Sequence, residues 1–213
     1  HTFKSSGTFK SGLTSSPKAT GGAIFNDGTY YYHAFGSSGT FTPSQNLITD
    51  FLVIAGGGGA STNSSGGGGA GGVVYTASQS VTANTNYTIT VGAGGVGSDN
   101  SALASKGGNS NITGGALSLT AAVGGGGAQG RDVVGNNRNG GSGAGGVGGN
   151  TSNTGGGTGT SGQGNAGGNG SGSEGNNYAA GGGGGAGAAG QTAPSNRSEE
   201  HTSELQSRQY LVC

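Results

Sequence analysis

An all-β chain is predicted, a small antiparallel β-sandwich or roll with inserted Gly-rich loops, and three observations predict it. Apolar and polar residues alternate in short segments, as half-buried strands require. No segment sustains a helical period over about 11 residues. Glycine, 56 of 213 residues, falls in clumps, and only three prolines accompany it. A collagen-like chain needs glycine at every third position with abundant proline, so that class is excluded.

Taken in order, residues 1–9 read HTFKSSGTF and residues 33–41 read HAFGSSGTF, an internal repeat. Each copy is expected to be a strand, a tight Ser-Ser-Gly turn and a return strand. Residues 1–22 are read as the remnant of a preceding repeat or linker. Residues 23–123 are read as a β-rich core with Gly runs. Within it Tyr30 to Phe35 is aromatic-rich and suits a strand. Ile48 to Ala55 (ITDFLVIA) is a continuous apolar stretch of strand length, expected to be buried on both faces. Further strands are expected over 72–81, over 87–91, where Tyr87, Ile89 and Val91 share a face, and over 117–123, where Leu117, Leu119, Ala121 and Val123 alternate. Glycine runs at 56–59, 66–69, 124–127 and 181–185 separate these elements.

Beyond Tyr87 the remaining aromatics are Tyr178 and Tyr210. Residues 124–196 are Gly, Asn, Ser, Thr and Ala with little else, and composition alone predicts disorder there. Residues 197–207 read RSEEHTSELQS, which a widely used short-read sequencing adapter encodes in one frame. The adapter continues, after a variable index, into Tyr-Leu-Val-Cys, and the chain ends Tyr210, Leu211, Val212, Cys213. Residues 197–213 are therefore read as an adapter-derived artefact and set aside. With His1 in place of Met, both ends are read as truncations of a longer gene. Six basic residues (Lys4, Lys10, Lys18, Lys106, Arg131, Arg138) then face five acidic ones (Asp27, Asp50, Asp99, Asp132, Glu174).

That sparse, balanced charge argues against a nucleic-acid groove. No apolar run reaches the ~18 residues of a membrane span, so membrane insertion is not expected. Without the adapter no cysteine remains, which excludes a disulfide framework. The run from Ala55 to Gly59 follows a strand, but a dinucleotide loop needs a helix next and an acidic residue ~20 positions on. No Asp or Glu lies between Phe51 and Ser98. The GxGxxG string from Gly143 to Gly148 is attributed to chance. Residues 94–99 match one calcium β-roll repeat, which requires tandem copies to bind metal. His33 has no second His, Cys or carboxylate pair beside it in sequence, so a half-buried strand position is expected. No general acid–base pair or nucleophile set can be proposed, and neither enzymatic activity nor a cofactor or metal is expected. Glycosylation acceptors at Asn63, Asn86 and Asn111 are ascribed to composition.

The segments DFLVIAGGGG (50–59), GGGGAGGVVY (66–75), NYTITVGAGG (86–95) and GGNSNI (107–112), with the lead-in YHAFGSSGTFTP (32–43), resemble a known family. It is the glycine-rich domain of tailed-phage tail-fibre and tail-tip adhesins and of bacterial surface proteins. The resemblance spans 23–190, and its first hundred residues are the specific part. It implies strands combined with a polyglycine II helix bundle, so two expectations stand for 124–196, a bundle or disorder. It also implies a structural or adhesion module of a virion tail fibre, extracellular, contacting a host cell-surface receptor (protein or polysaccharide) and other fibre subunits, with a homotrimer as one possible assembly. A bacterial secreted or cell-surface structural protein is the alternative. Polar residues between the Gly runs would then sit at rod ends. Arg131, Asn137, Arg138, Asn177 and Tyr178 are the candidate receptor contacts, because Tyr, Arg and Asn make adaptable contacts.

Overall fold

The structure, a computed structural model, describes residues 16–99, 102–130, 135, 137–149, 155–171 and 178–194. The first repeat copy, 1–9, lies outside them. Among the described residues there is no α-helix, and nine strands form: β1 (Ala19–Thr20), β2 (Ala23–Asn26), β3 (Tyr31–Ala34), β4 (Gly39–Pro43), β5 (Leu47–Ile54), β6 (Val73–Val81), β7 (Tyr87–Thr90), β8 (Asn111–Gly114) and β9 (Leu117–Ser118). One antiparallel sheet has the order β1-β4-β7-β8-β9, and β2–β3 and β5–β6 are two antiparallel ribbons. The all-β antiparallel expectation holds.

The core follows from the alternation. Tyr87 and Ile89 are buried while Thr88 and Thr90 are exposed. They pack with Phe35, Phe41, Phe51, Val53, Val81 and Ile112. The Tyr87 hydroxyl, at the end of a buried ring, accepts the Thr82 N–H at 2.8 Å. The His33 ring meets Phe41 edge-on, with centroids 5.1 Å apart.

Three expectations about strands are corrected. The second repeat copy is not a hairpin, because β3 pairs with β2 whereas β4 pairs with β1 and β7. The chain instead turns a corner at 36–38, where buried Phe35 is seated against Gly21, Gly22 and Gly39. β5 is not buried on both faces. Phe51 and Val53 point into the core, but Ile48 on the other face is 67% exposed, because that face borders an open cleft rather than a packed layer. The 117–123 alternation yields only a two-residue β9; Gly114 and Gly115 turn with positive φ, and Ala122 then returns to bridge Ser110.

Where strands end, glycine segments carry the same pairings onward. The β5–β6 ladder passes from Ile54↔Val73 into hydrogen bonds from Ala55 N to Gly72 O and from Gly58 N to Gly69 O. The β7–β8 pair is likewise prolonged by Gly108 N to Ala93 O and Ser105 N to Val96 O. Donors recur at every third residue. Gly125 and Ala128 donate to Gly56 and Gly59, Ser142 and Gly145 to Ala70 and Gly67, and Gly143, Gly146 and Gly149 to Asn165, Gly168 and Ser171. Consecutive donors face different neighbours: Gly141 bonds Gly124, Ser142 bonds Ala70, Gly143 bonds Asn165. This threefold rotation with no internal hydrogen bonds is that of the polyglycine II helix. It extends into 124–196, where residues 140–149 are buried throughout, so composition misreads the described part of that region.

The lattice explains the glycine content. A Cβ built on Gly58 would overlap the Gly126 carbonyl, one on Gly126 the Arg138 carbonyl, and one on Gly124 the Gly107 carbonyl. Where the lattice meets the sheet, side-chain amides replace a missing neighbour. Gln163 Oε1 accepts the Val123 N–H at 2.8 Å, and its Nε2 donates to the Ala121 carbonyl at 3.0 Å. Asn109 Oδ1 accepts the Gly124 N–H at 2.8 Å.

Gly126→Ala is expected to destabilise the fold by at least about 2 kcal/mol, through overpacking and a displaced hydrogen bond. Gly187→Ala, where a Cβ meets nothing, should stay within about 0.5 kcal/mol of the parent. Denaturant unfolding measures both, and equal midpoints for the two variants would refute the steric basis of the lattice. Gln163→Ala strands a backbone N–H and should cost about 1–3 kcal/mol in the same experiment.

Candidate binding surfaces

The predicted contact residues fall at different places. Arg131 and Asn177 lie outside the described residues. Asn137 and Arg138 are half-buried and belong to the lattice. The Asn137 carbonyl accepts the Gly127 N–H at 2.8 Å, and its side-chain amide donates to the Ala104 carbonyl at 3.2 Å. The Arg138 carbonyl accepts the Ala144 N–H, and its guanidinium donates to the Gly155 carbonyl. Partial burial lowers the Arg138 pKa below the usual arginine value. Tyr178 is 43% exposed, with its ring against Gly149. Arg138 lies beside Ala144 and Tyr178 beside Gly149, so the two are about 15 Å apart along one segment at ~3.1 Å per residue. The structure brings Asn137 and Arg138 together and sets Tyr178 apart from them.

His33 is buried rather than half-buried, and its Nδ1 lies 2.8 Å from the Gly21 carbonyl, which requires the proton on Nδ1. Residues 56–59 run into the lattice, with no helix after them, and Gly95 in the single β-roll match donates to the Gly57 carbonyl. Among the described residues no three His, Cys, Asp or Glu side chains cluster as metal ligands would.

A second surface was not anticipated. A cleft of about 910 Å³ opens between the β2–β3 ribbon and the outer face of β5–β6. Tyr30, Tyr31, Tyr32, Tyr75, Asp50 and Lys18 are among its lining residues. Tyr30 is 65% and Tyr75 62% exposed. Two wall tyrosines, Tyr32 and Tyr75, are each held by an aspartate. In the β2–β3 turn, Asp27 Oδ1 accepts the N–H groups of Thr29 and Tyr30, both at 2.8 Å, and its Oδ2 accepts the Tyr32 hydroxyl at 2.6 Å. This is the Asx-type turn that Asp favours. Across the cleft, β6 carries a bulge opposite Asp50, with Ser78 at a φ of 56°. Asp50 Oδ1 accepts the Ser78 N–H at 2.8 Å, and its Oδ2 accepts the Tyr75 hydroxyl at 2.6 Å.

A signal for this surface existed in the sequence. Successive strand residues face opposite sides, so Tyr30, Tyr31 and Tyr32 in a row cannot all enter one core.

The hydrogen bonds from Tyr32, Tyr30 and Thr29 hold the Asp27 carboxyl at a pKa of about 2, against an ordinary 3.8. The Tyr75 hydroxyl and Ser78 N–H lower Asp50 in the same direction. A depressed folded-state pKa favours the fold above the unfolded value, and that contribution is lost as pH falls through the folded one. The turn is therefore expected to hold at pH 4 and to loosen between pH 4 and pH 2. Carboxyl NMR should show Asp27 titrating near 2, and Tyr32→Phe should move it up toward 3.8. An unshifted midpoint in Tyr32→Phe would show that the hydroxyl does not hold the carboxylate.

No curated protein matches the chain, and no solved structure matches it. A family model described as Glycine-rich domain matches residues 34–211, a span that contains β4 to β9 and every lattice segment. The chain belongs to the glycine-rich domain family.

Proposed function

We propose that this chain is a structural and adhesion module of a phage tail fibre or tail tip, extracellular, which displays side chains to a host-surface receptor of protein or polysaccharide chemistry. The observation that carries the reading is the lattice. Its backbone groups bond one another, so turn and cleft residues supply the chemically distinct surface. A platform built this way can vary at turn residues whose side chains do not bond the lattice, as a recognition scaffold should. The resemblance of 32–43, 50–59 and 66–75 to fibre and tail-tip proteins supports the placement in a virion. Among the described members of the proposed receptor-contact set, Tyr178 is the exposed one; Arg131, Asn137, Arg138 and Asn177 complete the set. Assembly with other fibre subunits, as a homotrimer, belongs to the same reading. So does the adapter origin of 197–213.

Two experiments test it. Resequencing the source locus across both ends should reveal tail or baseplate genes and a different sequence in place of 197–213. A signal peptide or cell-wall anchor there would replace the phage reading with that of a bacterial surface protein. The purified chain should adsorb to host cells, and Tyr178→Ala should lower adsorption severalfold under conditions where an unfolding curve shows the variant folded. Adsorption indifferent to Tyr178→Ala would remove that residue from the contact set.

A further inference from the structure

We infer that the cleft between the β2–β3 ribbon and the β5–β6 ribbon is a binding site for a neutral saccharide, with the exposed rings of Tyr30 and Tyr75 as stacking platforms and the Tyr32 and Tyr75 oxygens as acceptors for sugar hydroxyls. The inference rests on the adhesion reading for its purpose and deepens it by naming a site and a ligand class distinct from the turn residues around Arg138 and Tyr178.

The chemistry follows from how the tyrosines are held. A phenol has one proton. Tyr32 and Tyr75 each give theirs to a carboxylate at 2.6 Å, a short, charge-assisted bond. Each phenol oxygen is then left as an acceptor. Asp50 lines the cleft as a further acceptor, and both carboxylates are anchored to backbone N–H groups of their own turn or bulge. The orientation is thus fixed before any ligand arrives, which limits the entropy lost on binding.

A ligand for this cleft must bring hydrogen-bond donors and an apolar face. Asp50 and Lys18 balance one another in the lining, so the cleft offers an anionic glycan no surplus positive charge. A pyranose ring meets these demands: its C–H face stacks on an aromatic ring and its hydroxyls donate. The partly apolar lining, including Leu47, Ile48 and Leu52, suits the same face. A cleft of about 910 Å³ is within the usual range for ligand sites, roughly 300–1,000 Å³, and has room for a short oligosaccharide.

The test is a calorimetric and NMR titration of the full chain with cellotetraose, chitotetraose and mannotetraose as neutral probes and trisialic acid as the anionic one. At least one neutral probe should bind and shift the resonances of Tyr30, Tyr32 and Tyr75. Tyr30→Ala and Tyr75→Ala should each weaken it tenfold or more. Tyr75→Phe, which keeps the ring and loses the oxygen, should fall between. The Tyr30 ring is exposed, so Tyr30→Ala should unfold at the parent midpoint, whereas the Tyr75 variants also lose the bond to Asp50 and are compared under conditions where unfolding curves show them folded. Failure of all neutral probes, preference for trisialic acid, or neutral binding indifferent to Tyr30→Ala and Tyr75→Ala would overturn the inference. Cell adsorption separates the two proposals. Adsorption lost in Tyr178→Ala, with no neutral probe bound in the cleft, overturns the cleft and leaves the adhesion reading standing. Neutral-sugar binding in the cleft without cell adsorption supports the cleft and removes the adhesion reading.

Discussion

The structure depends on one constraint: backbone groups in extended glycine segments have no partner within their own segment and must find one in another. A threefold helix points successive N–H groups in different directions, so every segment needs several neighbours. Those neighbours must approach closely, and a carbonyl occupies the space where a side chain would begin. Gly58, Gly124 and Gly126 show this directly, since a Cβ on any of them meets a backbone oxygen. Glycine loses more conformational entropy on ordering than other residues, by ~0.5–1 kcal/mol against alanine. The many inter-segment hydrogen bonds, each worth about 0.5–1.5 kcal/mol net, offset that loss only when the whole array forms.

The sheet supplies the register that the lattice lacks. A glycine run carries no side chain to specify which residue pairs with which. The β5–β6 ladder arrives with its register set by Phe51 and Val53 in the core, and hands it on to Ala55 and Gly72. The β7–β8 pair does the same through Ile89 and Ile112. Gln163 then ties a later segment to both the β6 entry and the 121–123 stretch. Order thus spreads from an ordinary hydrophobic core into a region with almost no hydrophobic residues.

The two surfaces differ for the same reason. Turns in the lattice recruit their polar side chains inward, as Asn137 and Arg138 do, because bundle ends leave backbone groups to satisfy. The ribbons satisfy their own backbones, so Tyr30 and Tyr75 remain outward. Asp27 and Asp50 sit at the turn and the bulge, and each both closes its local backbone and holds a tyrosine hydroxyl.

The sequence by itself determined the all-β class, the β7 alternation and the location of the main strands, because a period of two read against a single core leaves little freedom. For 124–127 it left two expectations open, a polyglycine bundle or disorder. Tertiary structure alone decided three things. It placed β3 and β4 in different sheets, because local turn signals at 36–38 do not reveal that Phe35 is buried against Gly21 and Gly22. It left one face of β5 open, because a continuous apolar run does not say which layer will cover it. And it ordered the described part of 124–196, where composition predicts disorder, because the stabilising partners of a polyglycine segment are other backbones, distant in sequence and unmarked by any side chain.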